Sequence, residues 1–356
     1  MIYFLIFLFL IFLRYSLGGH TRLREQLYMP LLILLFVFSA FRFEVGCDWF
    51  GYLNQYNVYA QLTFFEGLGV HEPLWVALFS IQHFLDLPYP WINVFSSAVF
   101  FYGVHVLARR QPDAFAFLIL IFPILIINMP MTAMRQAAGI GIICMAFAAF
   151  IDRSTFRFVV LTIVAAMFHS SAIILLLIAP MVAGKYSKSR LFLSVILAIP
   201  GGLILLSTQA AESASGQYIG SGVDSAGALF RVGLLALSGL FFFLFLKKKW
   251  ESAFPKDYKL VVLGALMMIA MLFLVPVSSV ISDRLGYYLI PIQAMIFARI
   301  PFLPIQRNRA VYAALPYLGL MAVFLVWTSI SWHFQLCYLP YKTWIFGFPD
   351  ATTFQF

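Results

Sequence analysis

Charged residues are scarce in this sequence, and cysteines are scarcer still. Only 10% of the 356 residues are charged, whereas 63% are hydrophobic. A water-soluble fold cannot hide that much apolar surface, so lipid must be the solvent for most of the chain. Three cysteines, Cys47, Cys144 and Cys337, show no metal-ligand spacing, and neither a disulfide framework nor a zinc site is supported.

Sequence motifs of several enzyme classes are also missing. The chain has no Walker-type phosphate loop, no HExxH motif, no GxSxG motif and no DxD-type metal pair. These absences argue against nucleotide-driven chemistry, zinc proteases, serine hydrolases and metal-dependent sugar-nucleotide transfer. We therefore expect no cofactor and no metal. The formal net charge of +9 does not indicate nucleic acid as a partner, because the basic residues flank apolar blocks and act as topology signals.

The apolar residues form blocks long enough for membrane helices. Residues 1–13 (MIYFLIFLFLIFL) and 260–277 (LVVLGALMMIAMLFLVPV) approach the roughly 20 residues that a span needs. The first block is followed by Arg14 and has no basic residue before it, which is the reverse of a secretory signal peptide. We expect an all-α, polytopic membrane helix bundle of about 10 to 12 helices, in a single domain over residues 1–356.

Basic residues assign the loops to the two sides of the membrane. By the positive-inside rule, the cytoplasmic loops are those that contain Arg14, Arg22, Arg24, Arg109, Arg110, Arg153, Arg157, Lys185, Lys188, Arg190, Lys247, Lys248, Lys249, Arg299, Arg307 and Arg309. Two segments break the alternation, and we expect re-entrant or partial helices near 73–85 and 156–182. The second has its tip at His169, and the polar segment 207–227 is expected to be a periplasmic loop.

This topology places two cysteines on the same oxidising side. Cys47 and Cys337 can pair there, but the sequence favours two unrelated apolar cysteines. Ionisable residues near helix ends also gather on this outer side: Arg42, Glu44, Asp48, His71, Glu72, Arg135, His169, Arg231, Asp283 and Arg284. A charge at the centre of a membrane helix costs on the order of 2.5 to 3.5 kcal/mol, so such residues need partners or a function.

Several of these residues also have a structural interpretation. Arg135 can extend to the membrane interface from a helix end, and Arg231 can be an interfacial anchor. His169 can be a buried structural histidine, and Glu44 and Asp48 can belong to a solvated loop. The functional hypothesis is that the arginines bind a lipid-linked pyrophosphate, because guanidinium groups bind phosphate oxygens in a bidentate manner.

Five short motifs occur in a fixed order along the chain: FRFEVGCDWFGYLNQY at 41–56, HEPLW at 71–75, MRQAAGIGI at 134–142, FHSSA at 168–172 and DRLGYY at 283–288. With the YLPY sequence at 338–341, they resemble the EpsG/Wzy-type polysaccharide polymerases. The resemblance implies a GT-C-like glycosyltransferase of the bacterial inner membrane with its active site facing the periplasm. Cys47 departs from the family's GTDY-like loop, so we expect no chemistry from it.

The resemblance also implies a reaction and roles for the outer residues. A growing glycan would pass, without metal, from undecaprenyl pyrophosphate to a hydroxyl of a new lipid-linked repeat unit. The expected pyrophosphate-binding residues are Arg135, Arg284, Arg42 and Arg231; the expected catalytic residues are His169, Asp48 and Glu44; the other expected substrate contacts are Glu72, Asp283 and Tyr287. Which catalytic residue accepts the proton stays open. The implied partners are donor and acceptor lipids, membrane lipid, and flippase and chain-length regulator proteins.

Three other functions share some of these features. An O-antigen ligase uses the same kind of lipid pyrophosphate donor at an outer basic site. A polysaccharide flippase or transporter requires polar residues along a path that reaches both faces, whereas the inner charges here look like topology signals. A membrane O-acyltransferase with a buried histidine is the most distant alternative.

Overall fold

The structure is a computed structural model that describes residues 2–183 and 227–348, with residues 189, 192 and 196 between them. The predicted polar loop at 207–226 lies outside the described residues. The described α-helices are Ile2–Ser16, Thr21–Ala40, Trp49–Tyr59, Phe64–Gly67, Pro73–Phe84, Trp91–Ala108, Ala114–Ile121, Met134–Ile151, Thr155–Ala166, Ala228–Phe241, Lys247–Ala253, Tyr258–Leu274, Ser279–Tyr287, Ile290–Arg299, Arg309–Ile330 and Trp332–Tyr338. π-Helical turns occur at Phe122–Ile126 and Phe242–Leu246, and 3₁₀ segments at Ser170–Met181 and Ile300–Phe302.

Apolar helices dominate the described chain. Five helices are long and apolar enough to cross a membrane: Thr21–Ala40, Trp91–Ala108, Met134–Ile151, Ala228–Ala253 and Arg309–Ile330. A sixth span is possible if Ser279–Tyr287 and Ile290–Phe302 are counted together across their 50° bend, and five shorter apolar helices have 10–17 residues. The prediction of an all-α, multi-pass membrane bundle is confirmed. Among the described residues, eleven apolar segments agree with the expected number of helices, and five of these have full length without a break.

The two predicted partial elements are short helices. The helix Pro73–Phe84 has 12 residues and is about 18 Å long, which is too short for a hydrocarbon core of about 30 Å. The second element consists of the helix Thr155–Ala166, a turn at His169, and the 3₁₀ segment Ser170–Met181. The two elements meet where the backbone N–H of Leu74 donates to the carbonyl of Met167 (2.9 Å).

The helices Trp91–Ala108 and Met134–Ile151 pack unusually close together at two glycines. A Cβ atom on Gly103 would lie 1.7 Å from the carbonyl oxygen of Gly141, and one on Gly141 would lie 2.5 Å from the Cα of Phe100. Small residues allow such backbone approach between membrane helices. This contact fixes the position of the helix that carries Arg135 in its first turn.

The Gly103→Ala variant is therefore expected to be destabilised by roughly 1 to 3 kcal/mol, the usual cost of overpacking. The measurement is thermal unfolding of the detergent-solubilised protein, together with its level in the membrane. Gly319→Ala is the matched control, because Gly319 also lies inside a spanning helix but has no atom within 4 Å of an added Cβ. Equal melting temperatures for the two variants would contradict the close packing.

Charged side chains collect at two opposite ends of the bundle. Arg135 lies in the first turn of the helix Met134–Ile151 and Asp152 follows its end, a separation of about 26 Å along the axis. At the Asp152 end, ion pairs connect Arg24 with Asp113 and Arg299 with Asp257, and Arg110 binds Asp152 in a bidentate manner (2.5 and 2.7 Å). Between the ends, large apolar side chains are exposed on the outside, such as Leu244 with 73% of its surface exposed. The candidate site lies at the Arg135 end.

Candidate functional site

Glu72 joins three helix ends at the site. Its carboxylate accepts hydrogen bonds from the Arg135 guanidinium (Nη1 to Oε2, 2.8 Å) and from the backbone N–H of Ser170 (N to Oε1, 3.0 Å). That N–H belongs to the start of the 3₁₀ segment, where a negative charge is favoured. Burial raises the pKa of Glu72, but the Arg135 charge and the Ser170 N–H outweigh it and hold the pKa below its ordinary value. Glu72 is therefore a carboxylate anion held in place by two hydrogen bonds. The expectation that it contacts substrate stays a prediction.

Arg135 is half-buried in the first turn of its helix. Its guanidinium forms an ion pair with Glu72 and interacts electrostatically with Tyr52 of the helix Trp49–Tyr59. Tyr52 packs on the ring of Trp75, with ring centroids 5.3 Å apart and an interplanar angle of 61°. The ion pair with Glu72 therefore orients the guanidinium.

His169 lies at the turn between the helix Thr155–Ala166 and the 3₁₀ segment Ser170–Met181, as the sequence predicts, and is buried. Its Nδ1 atom is 2.7 Å from the hydroxyl oxygen of Ser171, which is 3.2 Å from the hydroxyl oxygen of Tyr288. Burial lowers the pKa of His169; the Glu72 carboxylate opposes this effect, and Arg135 and Arg284 add to it. The imidazole is therefore neutral at pH 7 and serves as a hydrogen-bonding group there.

Asp48 lies immediately before the helix Trp49–Tyr59, with its side chain exposed and not used as a helix cap. The protein packed around the carboxyl raises the pKa of Asp48, while Arg284, Arg135 and Arg42 act to lower it. The side chain of Asp48 is therefore exposed while cations act on it, and it is more exposed than Glu44 of the same loop.

Asp48, Arg135, His169 and Arg284 form what we name the central cluster. Arg135 and Arg284 both act electrostatically on Asp48 and on His169, which brings together residues from four separate parts of the sequence. Arg284 is exposed like Asp48, and its backbone carbonyl accepts a hydrogen bond from the Gln136 amide (2.5 Å). The cluster combines two cations, one accessible carboxylate and one neutral imidazole.

Arg231 forms a second centre beside the first. Its guanidinium donates to both carboxylate oxygens of Asp283 (Nε to Oδ1, 2.8 Å; Nη2 to Oδ2, 2.6 Å), and its Cζ lies 5.8 Å from the centre of the Tyr287 ring. Bidentate pairs of this kind are among the stronger ion pairs. An anion that binds Arg231 must therefore compete with Asp283. The substrate roles expected for Arg231, Asp283 and Tyr287 stay predictions.

The remaining expected site residues lie in the loop 41–48, which we name the site loop. Arg42 is buried, and its guanidinium donates to the carbonyls of Val45 (2.9 Å) and Ser39 (2.8 Å). Glu44 forms an ion pair with Lys342 (2.6 Å). The Arg42 side chain therefore holds the loop in shape, and the pyrophosphate role of Arg42 and the catalytic role of Glu44 remain predictions.

Cys47 of the site loop forms a disulfide bond with Cys337, 290 residues further along the chain. The interpretation of two unrelated apolar cysteines is wrong. The segments that carry the two cysteines contact each other, as the hydrogen bond from the Gly46 N–H to the Cys337 carbonyl shows. The ligand atoms of Cys47, His333 and Cys337 lie within 4.8 Å of one another. Cysteine binds zinc as a thiolate, however, and these two sulfur atoms are bonded to each other.

Three further residues belong to the site although their types alone did not single them out. Gln136 donates to the Arg284 carbonyl, the Tyr288 hydroxyl lies 3.2 Å from that of Ser171, and Tyr52 interacts electrostatically with Arg135. All three lie inside the motifs 41–56, 134–142 and 283–288. Their position within those motifs is the signal that could have found them, since apolar helices contain many tyrosines that only pack.

The chain also matches a known protein family. No curated protein and no solved structure matches it. A family model described as the EpsG family matches residues 25–343. This range includes every residue of the central cluster, the Arg231 centre and the site loop. Because the match extends over most of the sequence, the chain is a member of the EpsG family.

Proposed function

We propose that this protein is a membrane glycosyltransferase that polymerises oligosaccharide repeat units carried on undecaprenyl pyrophosphate. Its membership in the EpsG family supports a polysaccharide polymerase. The donor is the growing glycan on its lipid pyrophosphate, and the acceptor is a hydroxyl of a new lipid-linked unit. The reaction takes place at the periplasmic face of the bacterial inner membrane and uses no metal.

The observation that carries this proposal is the composition of the central cluster. Asp48 and Arg284 are both exposed, and Arg135, which acts electrostatically on Asp48, is held by its ion pair with Glu72. A pyrophosphate leaving group develops negative charge as its bond to the sugar breaks, and preorganised guanidinium groups stabilise such charge. An accessible carboxylate next to the cations can accept the proton of the attacking hydroxyl.

The proposed step uses these groups in one transfer. The acceptor hydroxyl oxygen attacks the anomeric carbon of the donor, and the bond from that carbon to the pyrophosphate oxygen breaks. Asp48 accepts the hydroxyl proton, and Arg135 and Arg284 neutralise the departing lipid pyrophosphate. The pKa of His169 is lowered by burial whereas that of Asp48 is raised, so His169 is the weaker base, and its Nδ1 atom is engaged with the Ser171 hydroxyl; we therefore assign proton transfer to Asp48 and a structural role to His169.

Two features support the outward orientation of this site. Disulfide bonds persist in oxidising compartments, and the Cys47–Cys337 bond lies in the site loop. The opposite end of the bundle carries Arg14, Arg24 and Arg110 close to helix ends, as expected for a cytoplasmic face. These three arginines are paired with aspartates, which favours an enzyme with its active site on one face over a transporter.

The proposal is tested with the purified protein in lipid vesicles and lipid-linked repeat units. We expect lipid-linked chains of two or more repeats, formed at equal rates with and without a chelator such as EDTA. A rate that collapses in EDTA and returns with a divalent metal would overturn metal independence. Transfer only to a different type of acceptor would indicate a ligase, and lipid movement without bond formation would indicate a transporter.

A further inference from the structure

The site loop is held by a distant part of the chain, the segment 337–344, which we name the clasp segment. Two main-chain hydrogen bonds run from the site loop to it: Phe43 N–H to the Lys342 carbonyl (2.9 Å) and Gly46 N–H to the Cys337 carbonyl (2.7 Å). A third runs back from the Trp344 N–H to the Phe41 carbonyl (3.0 Å). The disulfide is therefore part of a continuous contact between the two segments.

The clasp segment is in turn anchored to the bundle. The hydroxyl of Tyr338 is 2.6 Å from the hydroxyl of Thr132, just before the helix that carries Arg135. The Tyr3 hydroxyl donates to the Tyr338 carbonyl (3.0 Å), and the Tyr341 hydroxyl donates to the Phe38 carbonyl (2.8 Å). The clasp segment thus connects the site loop to three helices.

The site loop has a backbone shape that needs such support. Glu44 has φ of 51° and Gly46 has φ of 104°, both in the left-handed region. That region costs a non-glycine residue such as Glu44 free energy, so surrounding contacts must hold it. Gly46 also lies against the carbonyl of Met131, where an added Cβ would be only 1.8 Å from the oxygen. Asp48 follows this turn directly, so its position depends on the turn.

We propose that the Cys47–Cys337 disulfide is a covalent clasp that positions Asp48 in front of Arg135 and Arg284. Cys47 is adjacent to Asp48, so the bond fixes the residue next to the accessible carboxylate. Closing the clasp removes two protons and two electrons from the two thiols, and a disulfide-type oxidant on the same side of the membrane accepts them. Opening it frees the site loop while the spanning helices remain packed. The effect on catalysis rests on the function proposed above; the effect on the loop does not.

The structural part is tested by hydrogen–deuterium exchange of the detergent-solubilised protein before and after reduction with a phosphine. We expect peptides covering 41–48 and 337–344 to exchange at least tenfold faster after reduction, because Phe43, Gly46 and Trp344 donate their N–H groups across the clasp. The helix Met134–Ile151 serves as internal control and is expected to be unchanged. Unchanged exchange at 41–48, or two free thiols at positions 47 and 337 in the unreduced protein, would overturn the clasp.

The catalytic part is tested with the Cys47→Ser/Cys337→Ser double variant. We expect kcat to fall by about tenfold to 100-fold, the cost of a small misplacement of a reacting group, with less than about a threefold change in KM. Cys144→Ser is the matched control, since Cys144 is buried and unbonded, and it is expected to keep wild-type kcat. Reduced wild-type protein is expected to match the double variant and to recover on reoxidation.

The two tests separate the clasp from the proposed reaction. If exchange at 41–48 rises on reduction but neither the wild type nor the variant polymerises the substrate, the clasp stands and the proposed function fails. If the wild type polymerises the substrate and the double variant does so with the same kcat, the clasp does not position Asp48.

Discussion

The Arg135→Ala variant is expected to lose polymer formation by roughly 100-fold to 1,000-fold, the usual cost of removing one preorganised charge-stabilising group. The variant should still reach the membrane, because the helix Met134–Ile151 is held by its glycine contact and not by this side chain. The measurement is the initial rate with lipid-linked repeat units, normalised to the amount of folded protein in the vesicles.

Two further variants separate catalysis by Arg135 from its ion pair. Glu72→Gln breaks the same pair but leaves the guanidinium in place, so we expect a smaller loss than that of Arg135→Ala, of roughly tenfold, at the low end of what the removal of a supporting contact costs. Arg135→Lys keeps the charge but not the forked geometry, and its rate should lie between those of the wild type and Arg135→Ala. If Glu72→Gln is as inactive as Arg135→Ala, the guanidinium only stabilises the fold.

The Asp48→Asn variant is expected to lose about 100-fold to 10,000-fold in kcat, the usual contribution of a general base. Asparagine has almost the same shape, so the site loop and its disulfide should be unchanged. Glu44→Gln is the comparison variant, because it removes a carboxylate charge from the same loop and breaks only a solvent-exposed ion pair with Lys342, which contributes little to holding the loop. Its rate should stay within a few-fold of the wild type.

The role of Asp48 as the general base also predicts how the rate changes with pH. Only the carboxylate form of Asp48 accepts a proton, so kcat/KM should be full above its pKa and fall as the pH drops through it. Since the surrounding protein raises this pKa, the fall should occur above the ordinary value of 3.8. The residual activity of Asp48→Asn should lack this acidic limb. A limb that persists in Asp48→Asn and disappears in His169→Gln would make His169 the base.

Local sequence was enough to predict the class of fold and one geometric detail of the site. The apolar blocks predicted an all-α membrane bundle, since lipid requires backbone hydrogen bonds to be satisfied within each span. Because Arg153 and Lys185 both mark cytoplasmic loops, the apolar segment between them was predicted to enter the membrane and return, with His169 at its tip. The structure has a helical hairpin there with His169 at its turn. Both predictions depend on short-range patterns: hydropathy over about 20 residues and the positions of basic residues.

Pairing between distant residues could not be predicted in the same way. The sequence did not show that Glu72 would bind both Arg135 and Ser170. It also did not show that Asp283 would form an ion pair with Arg231. It also favoured separate cysteines at 47 and 337. These contacts depend on how helices pack against one another, and a single sequence contains no direct signal of that packing.

The contact between the site loop and the clasp segment affects when the protein becomes active during synthesis. Cys47 and Cys337 are 290 residues apart, which ribosomes translate in roughly 15 to 60 s at about 5 to 20 residues per second. Until the clasp segment has been inserted, Asp48 is in a loop without its partner, although Arg135 and His169 are already in place. The proton acceptor would therefore be positioned last, and a partly synthesised chain would leave lipid-linked glycans unreacted.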